Sequence, residues 1–209
     1  LGLAPERITA IHNGYNPRFR PMDDTTEVTK RYRPDPEYLF FLGNTDPKKN
    51  TPGTLKAYAE YVRRSENPLP LLVADLGEQP AEAILREIGE PRLRGMLRLA
   101  GYIPNSDLPA IYNRASAFLY TSLRESFGIP QLEAMACGTP VVTSATSAIP
   151  EVAGEGAILV DPTDPKAIAD ALLRLETDAA FRARQVAYGL ERVKRFSWEK
   201  TAALQKFVI

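Results

Sequence analysis

The chain has 209 residues, long enough for one sizeable hydrophobic core without disulfide or metal staples, and its 44% apolar and 25% charged residues exclude a disordered chain. Twenty-six Lys and Arg balance 26 Asp and Glu, so the overall basic footprint of a nucleic-acid binder is missing. One cysteine and one histidine exclude a disulfide framework and a structural zinc cluster, and no apolar run approaches the roughly 18 residues of a bilayer span.

In chain order, short β-branched or aromatic runs alternate with longer amphipathic stretches. Strands are predicted near Ile8–His12, Tyr38–Gly43, Pro70–Ala74, Met96–Ala100, Ala117–Tyr120, Pro140–Thr143 and Ala157–Val160. Most are continuously apolar, as strands read when helices cover both faces of a parallel sheet. The polar, proline-rich segment from Pro17 to Pro36 is expected to be a surface excursion or linker. Thr51 followed by Pro52 places proline at the first position of a helix whose apolar face is Leu55, Tyr58, Tyr61 and Val62. Asp164 and Pro165 repeat the device before a helix with Ile168, Ala171, Leu172 and Leu175 on one face. Asp178 is expected to cap a helix to about Phe196, and Ser197 a last one carrying Leu204 and Val208, with Trp198 as its packing anchor. The alternation predicts one doubly wound α/β domain with its ligand at the carboxyl ends of the strands. No G-x-G-x-x-G and no G-x-x-x-x-G-K-[ST] occurs, so dinucleotide oxidoreductases and P-loop enzymes fit poorly.

The chemistry concentrates in Ser122 to Ser147, SLRESFGIPQLEAMACGTPVVTSATS. Glu125 follows the strand ending at Tyr120, at the carboxyl edge of the sheet. Gly128 lets backbone approach a ligand, and Pro130 starts a short helix that Gly138 ends. The amides near Ser126, Phe127, Gly128 and Ile129 then form an anion site at a helix start. Glu133, eight residues after Glu125, can accept hydrogen bonds from two vicinal hydroxyls. Taken singly, each glutamate is as readily a cap that complements the helix dipole. Together, two carboxylates flanking an anion site suit a diphosphate joined to sugars on both sides. Cys137 reads as a small buried hydrophobe, since no base pairs with it. His12 reads as a satisfied strand-end residue, with contact to a substrate the rarer alternative.

ESFGIPQLEAMACGTPVV resembles the E-x-F-G-(I/L)-x-x-x-E segment of the retaining glycosyltransferase family 4, whose two-domain architecture is called GT-B. LFFLGNTDPKKN is similar to that family's G-x-x-x-P-(R/K)-K-N loop, IHNGYNPRFRP to the start of its second domain, and GYIPNSDLPAIYNRASAFLYTS to its G-(Y/F)-(I/V) stretch. The resemblance implies a Rossmann-like second domain of a GT-B enzyme, spanning residues 1–209, with the acceptor-binding first domain absent. The start at Leu1 without methionine agrees with a piece of a longer protein. By position, it places the loop after Gly43 beneath the donor's sugar and phosphates and Lys49 at the diphosphate. Tyr102 and Ile103 line the slot for the base, Glu125 meets the sugar hydroxyls, and Glu133 holds the ribose. Asn44 stands where much of the family has arginine, and Lys48 is the candidate replacement cation. The implied donor is a GDP- or UDP-linked hexose, mannose favoured, and the implied acceptor a glycan or lipid-linked glycan. Neither a metal nor a cofactor is expected, and neither is a nucleic-acid partner. The expected location is cytoplasmic, with peripheral contact to the inner membrane face through the missing domain. Two alternatives stay open: a GT-B enzyme of another class, phosphorylase or epimerase, and a non-catalytic nucleotide-binding module.

Overall fold

Six short, mostly apolar runs become parallel strands, the four central ones buried on both faces and the two edge ones partly exposed. A computed structural model describes residues 9–32 and 35–206. The strands are β1 (Leu39–Leu42), β2 (Leu71–Ala74), β3 (Leu97–Gly101), β4 (Ala117–Tyr120), β5 (Val141–Ser144) and β6 (Ile158–Val160). They lie in the order β3-β2-β1-β4-β5-β6, and every pairing is parallel. The chain winds outward from β1 to β3, then returns to lay β4 against the other side of β1. This is the doubly wound, Rossmann-like sheet, and its strand order reverses at the β1/β4 boundary.

Side-chain alternation divides the interior into two cores. Phe40, Leu72, Phe118, Tyr120 and Val141 face one layer, with Ile111 and Tyr112 of α4 (Leu108–Arg114), Leu132 and Met135 of α5 (Ile129–Ala136), and Ile149 of α6 (Ile149–Ala153). Leu39, Phe41, Val73, Leu119 and Val142 face the other, with α2 (Thr51–Arg64), α3 (Glu78–Glu87) and α7 (Pro165–Thr177). The helix α8 (Ala179–Val193) clamps both, placing Phe181 in the second core and Val193 in the first. Tyr112 centres the first core, its ring 5.0 Å from that of Phe118 and 5.3 Å from that of Phe40.

Helix starts follow local chemistry. Asp164 accepts from the Lys166 and Ala167 amides, Asp178 from that of Phe181, and Ser197 from that of Lys200. In α2 the cap is Asn50, so Pro52 stands second in the helix rather than first. The Thr51 hydroxyl donates back to the Asn44 carbonyl at 2.5 Å. Leu55, Tyr58 and Tyr61 are buried as expected, with Val62 packed at the margin of that core. The helix expected to run to Phe196 stops at Val193.

Three expectations change. Ile8 lies outside the described residues, and Thr9–His12 is not a strand. That segment docks on α9 (Trp198–Gln205) instead: the Thr201 hydroxyl donates to the His12 carbonyl at 2.6 Å, and Gly14 lies so close to the start of α9 that an added Cβ would stand 2.2 Å from the Trp198 nitrogen. That bond and the close approach of Gly14 hold the segment against α9 rather than at the edge of the sheet. The second concerns Pro17 to Pro36, whose described residues are mostly exposed, as a surface excursion would be, but are fixed to the domain and are not a linker. It carries α1 (Thr26–Lys30), buries Phe19, and is tied to α4 by Tyr32 donating to Asp107 at 2.5 Å and by Asn113 bonding both the Met22 amide and the Arg20 carbonyl. Finally, Trp198 and Leu204 do not anchor α9 by their side chains, which are 47% and 46% exposed; Val208 lies outside the described residues.

Candidate functional site

The loops that leave the carboxyl ends of β1 and β4 meet at the strand-order reversal. After β1 the chain passes Gly43 and Asn44 into a single 3₁₀ turn, Pro47–Lys49, that Asp46 caps by accepting from the Lys48 amide. Asn50 follows with φ 56°, a left-handed conformation that asparagine tolerates. Its amide donates to the carbonyls of Thr121 at 3.1 Å and Pro162 at 2.8 Å, joining the loops after β1, β4 and β6. Gly53 makes room for this, since a Cβ there would lie 2.3 Å from the Asn50 oxygen. The Leu123 amide donates to the Lys48 carbonyl at 2.7 Å, and the Thr54 and Thr121 hydroxyls pair at 2.6 Å.

This bracing brings Lys49 and Glu125 together. Lys49 Nζ stands 2.8 Å from Glu125 Oε1 and 5.6 Å from the Tyr120 ring centre, with both charged side chains mostly covered. The Glu125 backbone is gripped from the far side by Ser147, whose Oγ accepts from the Glu125 amide at 3.2 Å and donates to its carbonyl at 2.5 Å. Burial, and after it the nearby Glu125 and Glu133 carboxylates, raise the Tyr120 phenol far above its ordinary range. Two carboxyl groups thus act on one tyrosine.

The helix α5 opens beside the pair. Gly128 is its N-cap with φ 95°, and an added Cβ would lie 2.8 Å from Gln131 Nε2. Only glycine holds that turn without strain. Among the described residues no side chain caps the helix, so its leading amides have no side-chain acceptor there, and the fully buried Gln131 has no partner for its Nε2 among them either. Glu133 is half-buried on the same helix. Burial pushes its carboxyl up to about 7, opposed weakly by Arg18. Gly138 closes the helix with φ 77°, and Cys137, 4% exposed and pushed up to about 12 by burial, is a core residue as expected.

Other candidates separate. Lys48 and Ser126 are exposed, and Asn44 spends its side-chain oxygen on the Asp46 amide. Phe127 belongs to an aromatic group with His12 and Phe196. Tyr102 is 75% exposed, whereas Ile103 is buried in the first core and can face a base only through its backbone. His12 is satisfied, with Nε2 2.7 Å from Glu151 Oε1, though not at a strand end. Among the described residues no group of three or more His, Cys, Asp or Glu is placed to hold a metal ion, and no helix is long and apolar enough to cross a membrane. Asn50 and Ser147 were not among the expected site residues, although Asn50 closes the G-x-x-x-P-(R/K)-K-N loop and Ser147 ends the segment in which the chemistry concentrates.

Residues 24–192 match the family described as glycosyl transferases group 1. The chain belongs to that family. Its relatives include the O-antigen chain mannosyltransferase B of Escherichia coli, 36% identical over 162 residues that make up 78% of this chain and 42% of the relative. Among solved structures, the sucrose-phosphate synthase of Thermosynechococcus elongatus superposes with a TM-score of 0.79 at 27% identity, covering 95% of this chain and 51% of that one. The C-terminal domain of a glycosyl transferase group 1 family protein from Francisella tularensis superposes with a TM-score of 0.73 at 22% identity, covering 87% of this chain and 97% of that domain. This chain therefore spans less than half of the mannosyltransferase it matches, and its structural neighbours are GT-B glycosyltransferases.

Proposed function

We propose that this chain is the donor-binding domain of a retaining glycosyltransferase that moves a hexose, mannose favoured, from a GDP- or UDP-linked donor to a glycan or lipid-linked acceptor held by a domain outside the chain. The observation that carries the proposal is the Lys49–Glu125 pair at the strand-order reversal, beside the uncapped start of α5 and the half-buried Glu133. The relative named as a mannosyltransferase supports the sugar. The similarity to a solved C-terminal domain of nearly the same extent supports the domain assignment.

In this mechanism the diphosphate lies across the leading amides of α5, and Lys49 swings its ammonium from Glu125 onto a phosphate oxygen, with Lys48 as second cation. Positive charge and oriented amides stabilise the leaving diphosphate, so no metal is required. Glu125, released from the lysine, accepts from hydroxyls of the sugar, and Glu133 from the two ribose hydroxyls. The acceptor's missing domain supplies alignment and excludes water, so the chain alone binds donor without transferring it.

Calorimetric titration with GDP, UDP and the intact sugar nucleotides tests the assignment. Glu133→Ala weakens every nucleotide by roughly ten- to a hundredfold, the loss of charge-assisted hydrogen bonds worth about 1.5–3 kcal/mol. Glu125→Ala leaves the diphosphates bound as well as before, or tighter because Lys49 is freed, and weakens only the intact donor. A thermal melt of the chain unmoved by millimolar GDP, UDP and ADP, with or without chelator, overturns the proposal.

A further inference from the structure

The carboxyl end of β2 carries a feature that phosphate and sugar binding leave unused. The β2–β3 pairing is regular from Leu71↔Leu97 to Val73↔Leu99 and then slips, so that Ala74 faces Gly101. Such a bulge turns the residues beyond it out of the sheet plane, and bulges gather beside binding sites. Asp75 comes next, with φ 58° in the left-handed region, opposite Gly101 with φ 63°. The two are locked together by the Asp75 amide donating to the Gly101 carbonyl at 2.8 Å, and Ala74 is held on its other side by the Gly43 amide at 3.2 Å. Asp75 therefore stands between the loop after Gly43 and the exposed ring of Tyr102.

Asp75 is exposed at the sheet edge, where its carboxylate is open to a ligand, and what burial there is moves its pKa upward. Aspartate tolerates the left-handed region, and the backbone bond to Gly101 fixes the turn there. Two strand spacings, roughly 10 Å, separate β2 from β4, so a nucleotide whose diphosphate lies at α5 would bring its base over the β2–β3 edge.

We propose, building on the nucleotide-sugar function above, that Asp75 selects guanine as the donor base, its carboxylate accepting from the ring N1–H and the exocyclic amine while Tyr102 lies against the ring face. A carboxylate only accepts, and it offers two oxygens side by side. Guanine presents two adjacent donors on one edge and matches it. Uracil presents one N–H between two carbonyl oxygens, which a carboxylate repels, and adenine sets its amine beside an acceptor nitrogen. A site built for two donors discriminates strongly against ligands that lack them.

The test is titration of this chain with GDP, IDP, UDP and ADP. IDP keeps the N1–H and lacks the amine. The wild-type chain binds GDP at least tenfold tighter than UDP or ADP, with IDP between. Asp75→Asn preserves a side chain that tolerates the left-handed turn, and Asp75→Gly preserves the turn with no side chain; both lower GDP affinity roughly ten- to a hundredfold and bring the four ligands together. Wild-type binding of UDP equal to that of GDP, or a guanine preference kept in both variants, overturns the role of Asp75 while leaving the nucleotide-binding function standing. Failure of all four ligands to bind the wild-type chain overturns both.

Discussion

Glu133 offers the sharpest test of the site's electrostatics. Its carboxyl is half-buried and pushed up to about 7 from 4.5, because burial penalises the ionised form more than the Arg18 charge favours it. A carboxyl whose folded pKa is raised binds more protons in the folded than in the unfolded chain between those two values. Stability therefore falls as pH rises from 4.5 to 7, and above 7 the full penalty applies. At roughly 1.4 kcal/mol per unit of pKa, the penalty reaches about 3 kcal/mol. Glu133→Gln removes the ionisation and keeps the shape. It should stabilise the chain at pH 8 by up to about 3 kcal/mol, a rise in melting temperature of roughly 6 to 12 °C for a chain of this size. At pH 4 the two proteins should unfold nearly together. Urea unfolding at both pH values measures the difference directly. An equal effect at pH 4 and pH 8, or a loss of stability at pH 8, refutes the reasoning, because either result means that Glu133 is not held ionised against its surroundings. The penalty also has a functional face: a ligand whose hydroxyls donate to the ionised carboxylate relieves part of it, so nucleotide affinity should rise as pH passes upward through 7.

Other expectations follow from single contacts. Gly128→Ala forces a Cβ into the φ 95° turn, 2.8 Å from Gln131 Nε2, and should cost about 1–3 kcal/mol in urea unfolding. Asn50→Ala removes the bridge to Thr121 and Pro162 together with a residue suited to φ 56°. It should cost about 1–3 kcal/mol and raise hydrogen exchange selectively in the loop after β4. Tyr112→Phe deletes a buried hydroxyl that has no partner among the described residues and keeps the ring packed edge-on against Phe40 and Phe118. The melting temperature should stay level or rise, and a fall of several degrees would mean that the hydroxyl is bonded after all.

The sequence alone determined what its local chemistry dictates. Of the seven runs expected as strands, six appear within a residue or two of the expected positions, because a short apolar run between polar breakers suits a strand covered by helices. The Asp164, Asp178 and Ser197 caps and the glycine after the end of α5 were legible because a cap bonds within three residues and a left-handed turn selects its residue type directly. Glu125 was legible as a candidate because the loops after parallel strands collect at one edge, and Glu133 from its spacing on the helix that follows, whereas Lys49 came only from the resemblance of its loop. Tertiary structure decided the rest, since the deciding contacts are distant in the chain. The segment around His12 carried the composition of a strand, yet hydrogen bonds to α9 compete for its backbone. The proline-rich segment after Pro17 looked unattached until α4 was present to hold it. Ile103 and Tyr102 are neighbours in sequence, but the turn after β3 sends one into the core and leaves the other exposed. Whether Lys49 meets Glu125, and whether Asn50 and Ser147 brace them, depended on the packing of β1 against β4, a juxtaposition that no local pattern encodes.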